Sequence, residues 1–223
     1  KEVLKIGKIE DINDNTKDVF GFYVVYQHKP QIFAIEDGEI RKVNTFEGEN
    51  LQTMFLVTTA DQRFWKVGEK TLFLGNWCKV YDQERIWSAP DHEVLPYHWD
   101  DRSRLHEDYK YLDDLCERVL ANLTDELNKL HNVEHSIRYW RIVVGPWIYC
   151  FLQILYDRYL SINSAIQSGK VKHTWLLADL AGIVPDDLYC LINWSTGDEY
   201  NLFLYSQLYK DLGGSDYEEK NVP

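Results

Sequence analysis

The stretches MFLVTTA, residues 54–60, and TLFLGNWC, residues 71–78, decide the fold of this chain. Each is a short apolar run that ends in small or polar residues, as a buried strand of a parallel sheet does where it enters a loop. EVLPYHW (93–99) and HTWLL (173–177) have the same character, and long helical patterns lie between these runs. Strands that alternate with helices predict an α/β fold from residue 54 onward.

Two long segments predict helices. Apolar side chains recur at spacings of three and four across 100–133, and Asp100 or Asp101 can cap the start of that helix. HSIRYWRIVVGPWIYCFLQILYDRY, residues 135–159, contains Gly145–Pro146 in its middle. A proline inside one continuous helix costs about 3 kcal/mol, whereas proline is favoured in the first turn of a new helix. The segment therefore predicts either one kinked helix or, preferably, two helices that meet at this dipeptide.

A last helix is predicted within residues 196–214. Thr196 or Asp198 is the expected cap at its start, and Gly213 is the expected stop. The remaining residues, 214–223, are polar and predict a tail.

Residues 1–53 have a different character. The runs 19–27 and 30–44 alternate as β-strands do, and EDGE at 36–39 places Asp-Gly between two strand-like runs, which predicts a hairpin or a small meander. We therefore expect a β-rich extension or fused segment over 1–53, followed by a domain over 54–213 with a Rossmann-like parallel sheet and long flanking helices.

Composition excludes several classes of function. The chain carries 36 acidic and 24 basic residues, a net charge of −12, which repels the phosphate backbone of nucleic acids. No apolar run reaches the length of about 18–20 residues that a membrane span needs, and the pattern predicts no signal peptide. The four cysteines have no metal-binding or redox spacing, which predicts free thiols in a reducing compartment such as the cytoplasm. No nucleotide-binding or hydrolase motif occurs, and the sequence predicts neither a metal nor a cofactor.

Gly75 is the first candidate site residue. It follows a predicted strand, in FLGNWC (73–78), and a glycine at the carboxyl end of a parallel strand lets a ligand or backbone approach closely. An ordinary strand-to-loop turn is the alternative interpretation.

PYHWDDR, residues 96–102, concentrates ionisable side chains: His98, Asp100, Asp101 and Arg102. An Asp–His cluster can carry out acid–base chemistry, so His98, Asp100 and Asp101 are candidate catalytic groups. The alternative is a capped helix start with a local Asp–Arg pair.

Arg138 and Arg141 lie one turn apart on one face of a helix, and His135 precedes Arg138 on the same face. Two guanidiniums beside the free N–H groups of a broken helix would bind an anion such as a phosphate or carboxylate. The alternative is that acidic side chains neutralise these arginines in buried salt bridges. Candidate acidic partners are Glu134, Asp100, Asp101 and Asp157.

Five segments together resemble a bacterial family of transferases encoded in gene clusters for O-antigen and other surface polysaccharides. They are LVTTA, TLFLGNWC, EVLPYHWDDR, LNKLHNVEHSIRYWRIVVGPWIYCFLQILYDRY and GDEYNLFLYSQL, in this order. The resemblance covers residues 54 to about 210 and corresponds to the N-terminal part of longer family members. Residues 1–53 lie outside it.

The resemblance implies a sugar transferase with two Rossmann-like halves, of which this chain is the acceptor-side half and the rest of a longer chain binds the donor. The implied substrates are a nucleotide-activated sugar and a glycan acceptor, and the implied location is the cytoplasm, at the inner membrane surface. Trp77, Trp99 and Trp140 are candidate sugar-stacking surfaces. The competing hypothesis is a non-catalytic α/β module that binds a partner or a glycan. The motif residues that match as candidates are His98, Asp100, Asp101, Arg102, His135, Arg138, Trp140, Arg141, Trp147, Asp157 and Arg158.

Overall fold

The computed structural model describes residues 53–66, 68–89, 91–178, 184–214 and 216–221, together with the backbone of three strands between residues 20 and 43. The chain divides into two compact units, Lys1–Leu51 and Gln52–Pro223. Each unit is described by itself below.

The first unit contains a three-stranded antiparallel sheet. Its strands are β1 (Phe20–Tyr26), β2 (Lys29–Glu36) and β3 (Glu39–Val43), in the order β1-β2-β3. Glu36 pairs with Glu39 across the β2–β3 connection, so only two residues join these strands. This pairing confirms the predicted β-meander, although the Asp-Gly dipeptide at 37 and 38 lies outside the described residues.

The second unit is built on a five-stranded sheet in which every neighbouring pair is parallel. This arrangement confirms the predicted Rossmann-like α/β fold. All four residues of the central strand are buried, which explains why its sequence is a continuous apolar run without alternation. The strands are β4 (Met54–Val57), β5 (Thr71–Phe73), β6 (His92–Val94), β7 (Val171–Leu177) and β8 (Tyr217–Lys220), in the order β6-β5-β4-β7-β8.

Strand β8 lies where the sequence predicts a polar tail. It pairs with β7 along one side, with Thr174 opposite Tyr217 and Leu177 opposite Lys220. Three of its four residues, Tyr217–Glu219, are exposed. Its charged side chains are typical of an edge strand, where they prevent pairing with another chain. An edge strand needs no apolar run, and apolar patterning therefore failed to detect it.

Six helices accompany the sheet in the described part of this unit. Two of them contribute directly to the main core, where Ile162 and Ala165 of one helix and Tyr205 and Tyr209 of another pack on the sheet residues Phe55–Leu56. The helices are α1 (Glu84–Trp87), α2 (Arg102–His131), α3 (Ile137–Val143), α4 (Gly145–Gln167), α5 (Leu188–Ser195) and α6 (Asp198–Asp211). Among the described residues, no helix is long and apolar enough to cross a membrane.

The boundary between α3 and α4 confirms the predicted helix break. Helix α3 ends at Val143, Val144 caps the junction, and Pro146 occupies the first turn of α4, where its missing N–H leaves no carbonyl without a donor. The break lets both helices pack on α2: Trp140 of α3 and Ile148 of α4 join Leu120 in one buried cluster.

The predicted caps and stops of the other two helices are confirmed only in part. Asp101 caps α2 as expected, by accepting hydrogen bonds from two backbone N–H groups. The predicted caps of the last helix are wrong: Thr196 is the C-cap of α5, Asp198 is the first residue of α6, and Gly197 precedes α6 without a side-chain cap. Two helices meet there with only two residues between them, a junction that the apolar pattern does not reveal. Gly213 follows α6 with φ of +75°, as expected for a helix stop.

Candidate functional site

A cleft opens at the carboxyl ends of three neighbouring strands. Thr58 follows β4, Gly75 follows β5 and Tyr97 follows β6, and all three line a cavity of about 840 Å³. The opposite wall comes from α4 and from the α5–α6 junction, which contribute Arg158 and Asp198. Ligands bind at this edge of open α/β sheets because the loops there are free to vary while the strands hold them in place.

Three aromatic rings form one side of the cleft. The indole of Trp77 stacks on Tyr205, with ring centroids 6.5 Å apart and planes at 14°, and meets Tyr97 edge to face at 6.3 Å. Tyr205 is buried, whereas Trp77 and Tyr97 are each more than one third exposed. Two exposed aromatic rings therefore line the cleft, and the buried ring of Tyr205 packs behind Trp77.

Gly75 lies against the ring of Trp77 in the cleft. A Cβ atom at this position would lie 2.1 Å from the indole ring of Trp77, so any larger residue would displace that ring. The backbone at Gly75 is extended, with φ of −174°, and requires no glycine on conformational grounds. The glycine thus makes room for the Trp77 side chain, and because it also lines the cleft, its role in letting a ligand approach stays a prediction.

Asp157 of α4 is the centre of a buried polar cluster in the cleft wall. Its carboxylate accepts a hydrogen bond of 2.7 Å from the Tyr97 hydroxyl and contacts the Arg158 guanidinium. The Nε2 atom of His98 lies 3.2 Å from Asp157 Oδ1, an ion-pair distance, but its direction does not meet hydrogen-bond geometry. Burial raises the pKa of Asp157, but His98, Arg158 and Tyr97 together outweigh burial and lower it, so the group is ionised at neutral pH.

Arg158 connects this cluster to the α5–α6 junction. Its Nε donates to Asn201 Oδ1 at 2.9 Å, and one terminal nitrogen donates to the Ser195 carbonyl at 3.2 Å. Asn201 in turn donates to the same carbonyl at 2.8 Å. The guanidinium is thereby held by three acceptors from three helices, and its charge is largely neutralised by Asp157.

Two further carboxylates face the cleft. Asp198, the first residue of α6, accepts from the Thr59 hydroxyl and the Ala60 N–H, each at 3.2 Å, and so joins α6 to the end of β4. Asp100 is exposed, and no hydrogen bond from a described side chain reaches its carboxylate. The cleft lining therefore holds three carboxylates and one guanidinium. No group of three metal-ligating side chains occurs in the part of the chain that the structure describes.

The segment that surrounds Asp100 contains the other predicted acid–base candidates. His98 lies behind the cleft wall against Asp157, with 4% of its side chain exposed. Asp101 is occupied as the cap of α2, and Arg102 is the exposed first residue of that helix. The indole nitrogen of Trp99 donates to Asp108 at 2.9 Å, away from the cleft lining.

The predicted arginine site is not assembled with the cleft. Arg141 forms an exposed salt bridge with Glu117 of α2, and Arg138 and His135 are exposed on the same side of the unit. Trp140 is 6% exposed and donates its indole N–H to Asn128, so it is a core residue and presents no surface to a sugar. Arg141 is thus salt-bridged, but the pair is exposed and its partner is none of the four acidic residues predicted for buried salt bridges.

Several cleft residues were missing from the predicted site. Asp157 and Arg158 matched the family resemblance but received no role, and Asp198 was treated only as a helix cap. Tyr97, Asn201 and Tyr205 carried no signal, because their positions in strand ends and helix turns look like those of ordinary core residues. A signal was available in Asp157 and Arg158, since adjacent charges in an otherwise apolar helix are costly to bury unless they are paired.

Comparison with protein families found one match. The family described as LIC12162 family transferase matches residues 54–223, which is most of the chain and begins at the first residue of β4. Comparisons with curated proteins and with solved structures found no match. The match lies entirely within the second unit, which also contains the cleft at the carboxyl ends of its strands. The chain therefore belongs to the LIC12162 family of transferases.

Proposed function

We propose that this chain supplies the acceptor side of a glycosyltransferase that acts in the assembly of bacterial surface polysaccharides such as O-antigen. A glycosyl group would pass from a nucleotide-activated sugar to a hydroxyl of a growing glycan bound in the cleft. The observation that carries this proposal is the cleft itself, which combines exposed aromatic rings with carboxylates at the carboxyl ends of the strands.

This combination suits the two kinds of surface that a sugar presents. The C–H faces of a sugar ring pack on aromatic rings, and Trp77 and Tyr97 offer such faces at nearly a right angle. Sugar hydroxyls donate hydrogen bonds, and carboxylates are strong acceptors that lie beside these rings at Asp100 and Asp198.

The charge of the cleft favours the acceptor over the nucleotide. A diphosphate would meet three carboxylates, and the guanidinium of Arg158 already has three acceptors. The α6 N-terminus, which could otherwise attract phosphate, carries the Asp198 carboxylate. We therefore assign the glycan acceptor to this cleft and the nucleotide to a part of the enzyme outside it.

Asp100 is the general base of this proposal. Its exposed carboxylate would take the proton of the acceptor hydroxyl while that oxygen forms a bond to the anomeric carbon. The bond from the anomeric carbon to the donor phosphate breaks, and the nucleotide leaves with the electron pair. Asp157, Tyr97 and Arg158 hold the cleft wall, and His98 stabilises Asp157 from behind.

The cytoplasm at the inner membrane surface is the proposed location. The four cysteines are free, and Cys78 is fully buried, as expected for a protein that folds in a reducing compartment.

A non-catalytic glycan-binding module is the second candidate function. One observation favours it: the arginines that were expected to bind a phosphate lie outside the cleft, and Arg141 is neutralised by Glu117. Such a module would use the same aromatic surfaces and would need no general base.

Two variants and a matched control separate these functions. Binding of bacterial glycan fragments is measured by thermal shift and tryptophan fluorescence, and transfer from nucleotide sugars is measured by nucleotide release with this chain and with a longer form of the protein. Trp77→Ala should weaken glycan binding at least about fivefold through the lost ring contact. Trp194→Ala removes an indole of equal exposure, 39%, that does not line the cleft, and should leave binding unchanged.

Asp100→Asn should abolish transfer and leave glycan binding within about threefold, because it removes the base but keeps an acceptor atom. Transfer that persists in Asp100→Asn would refute the assignment of the base. Glycan binding without transfer in the longer form would favour the binding module. A nucleotide that competes with the glycan for the cleft would refute the acceptor assignment.

A further inference from the structure

The lining of the cleft carries more negative charge than its own salt bridge balances. Asp100, Asp157 and Asp198 line it together with the guanidinium of Arg158, which gives the lining a formal net charge of −2. Arg158 is paired with Asp157, so the excess lies on the other two carboxylates. No cation of the residues that the structure describes lies within salt-bridge distance of either one, and Arg102, two residues after Asp100, does not line the cleft.

The carboxylate of Asp198 is held in place through one of its two oxygens. Its Oδ1 accepts hydrogen bonds from the Thr59 hydroxyl and the Ala60 N–H, and no described group donates to Oδ2. The residue is exposed, so Oδ2 is available to a ligand. Its charge also acts on the turn that carries Trp77: burial raises the pKa of the neighbouring Cys78 thiol to about 12, and the charge of Asp198 contributes to this increase. The cleft thus contains a fixed, unpaired acceptor close to this turn.

The two exposed aromatic rings of the cleft, Trp77 and Tyr97, suit a cation as well as a sugar ring. They meet at an interplanar angle of 82°, and the faces of tryptophan and tyrosine attract cations, most strongly where water is excluded. Burial and Asp157 raise the pKa of the Tyr97 hydroxyl, and the charge of Asp100 raises it further, so this second unpaired carboxylate acts on the same ring. In the described part of the chain, lysines lie over aromatic rings only at Trp87, Tyr217 and Trp175, away from the cleft.

We infer that the glycan bound in this cleft carries a protonated amine, as an amino sugar without an N-acetyl group does; this rests on the proposed function of the cleft as the acceptor site. The ammonium would pair with Asp198 Oδ2 and lie against the rings of Trp77 and Tyr97. A neutral sugar would displace water from two carboxylates and leave their charges uncompensated, which is costly. An ammonium has no lone pair and cannot be the nucleophile, so a hydroxyl of the same glycan remains the acceptor and Asp100 remains its base.

Three matched ligands test this inference on the full chain by isothermal titration calorimetry. They are the β-linked disaccharides of glucosamine, N-acetylglucosamine and glucose, which carry an ammonium, an acetamide and a hydroxyl group on the same carbon. We expect the glucosamine disaccharide to bind at least about tenfold more tightly than either neutral disaccharide, because it alone compensates the charge of the carboxylates. High salt should reduce this preference, since it screens the attraction between the ammonium and the cleft.

A pair of neighbouring residues provides the variant and its control. Asp198→Asn removes the charge but keeps an oxygen for Thr59 and Ala60, so the contact between α6 and the end of β4 remains. It should weaken binding of the glucosamine disaccharide at least about fivefold more than binding of the neutral disaccharides. Glu199→Gln makes the same change of charge in the same helical turn, at an exposed residue that does not line the cleft, and should leave the preference unchanged.

The possible results distinguish this inference from the proposed function. Equal affinity of the unmodified chain for all three disaccharides would overturn the inference and leave the glycan cleft in place, and this comparison needs no variant. Equal effects of Asp198→Asn and Glu199→Gln would overturn it as well, since the preference would then reflect the overall charge of the chain. If none of the three disaccharides binds, both the inference and the assignment of a glycan to the cleft are wrong.

Discussion

Substitution of Asp157 by alanine tests the buried cluster in the cleft wall. The side chain is 8% exposed and interacts with three groups: the Tyr97 hydroxyl at 2.7 Å, His98 Nε2 at 3.2 Å and the Arg158 guanidinium. Removing it deletes the only full negative charge next to Arg158 among the residues described, while Asn201 and the Ser195 carbonyl remain as neutral acceptors.

The expected loss of stability lies between two limits. Breaking a fully buried ion pair costs about 3–5 kcal/mol, and losing a hydrogen bond to a charged group costs about 1.5–3 kcal/mol. Arg158 keeps two acceptors and is 20% exposed, and the Tyr97 hydroxyl can turn to water. We therefore expect about 3 kcal/mol for Asp157→Ala, equivalent to a decrease in Tm of about 6–12 °C for a unit of this size.

Urea unfolding followed by tryptophan fluorescence measures this loss, because all eight tryptophans lie between residues 65 and 194, within the second unit. The double variant Asp157→Ala/Arg158→Ala should be less destabilised than the sum of the single variants by at least about 1 kcal/mol, since it leaves no buried charge unpaired. Glu117→Ala removes the partner of the exposed Arg141 and should cost no more than about 1 kcal/mol.

The pH dependence gives a second measurement on the same cluster. The pKa of Asp157 is lower in the folded state than in the unfolded chain. Its contribution to the free energy of unfolding is therefore fully present above the unfolded-state pKa of this carboxyl and is lost as pH falls through the folded-state pKa. The unmodified chain should therefore lose more stability on acidification than Asp157→Ala does. A loss below about 0.5 kcal/mol for Asp157→Ala at neutral pH, or strictly additive single variants, would refute the view that this carboxylate holds the cleft wall.

Three further predictions concern residues outside this cluster. Gly75→Ala should displace the Trp77 ring and weaken glycan binding, yet change stability by no more than about 1 kcal/mol, because lost ring packing is offset by reduced freedom of the unfolded chain; fluorescence and urea unfolding check both parts. Trp140→Ala should cost about 3–5 kcal/mol in thermal unfolding and leave glycan affinity unchanged, as a core residue would. Burial and a hydrogen bond to Asp108 raise the pKa of Tyr156 from 10 to about 12. The contribution of Tyr156 to the free energy of unfolding is therefore complete below pH 10 and is lost as pH rises toward 12. Tyr156→Phe should reduce this loss of stability at alkaline pH, as measured by urea unfolding.

The strands show how far the chain could be interpreted without coordinates. β4 and β5 were detected because strands buried on both faces need continuous apolar runs. β8 was not detected, since an edge strand pairs along one side only and three of its four residues are exposed. Apolar patterning therefore finds the centre of a parallel sheet more readily than its edges.

The tryptophans show why the site was harder to predict than the fold. Trp77 and Trp140 are the same residue type in comparable aromatic surroundings, and both were candidates for sugar stacking. Trp77 lies over Gly75 at a strand end and stays 39% exposed, whereas the turn of α3 directs Trp140 into the core. A side chain's burial depends on which element packs against its helix, and no local pattern contains that information.

The sequence by itself determined several strands and helices and the positions where helices begin or break. Continuous apolar runs specified β4 and β5, and apolar periodicity specified α2. Asp101 specified a cap and Gly145–Pro146 a helix break, because backbone sterics and missing N–H groups act on neighbouring residues. Only the tertiary structure decided the cleft. Tyr97 and Asp157 are 60 residues apart, and Thr59 and Asp198 are 139 apart, yet each pair is joined by a hydrogen bond. Such contacts arise because parallel strands bring their carboxyl ends to one edge, where helices far along the chain supply the opposite wall.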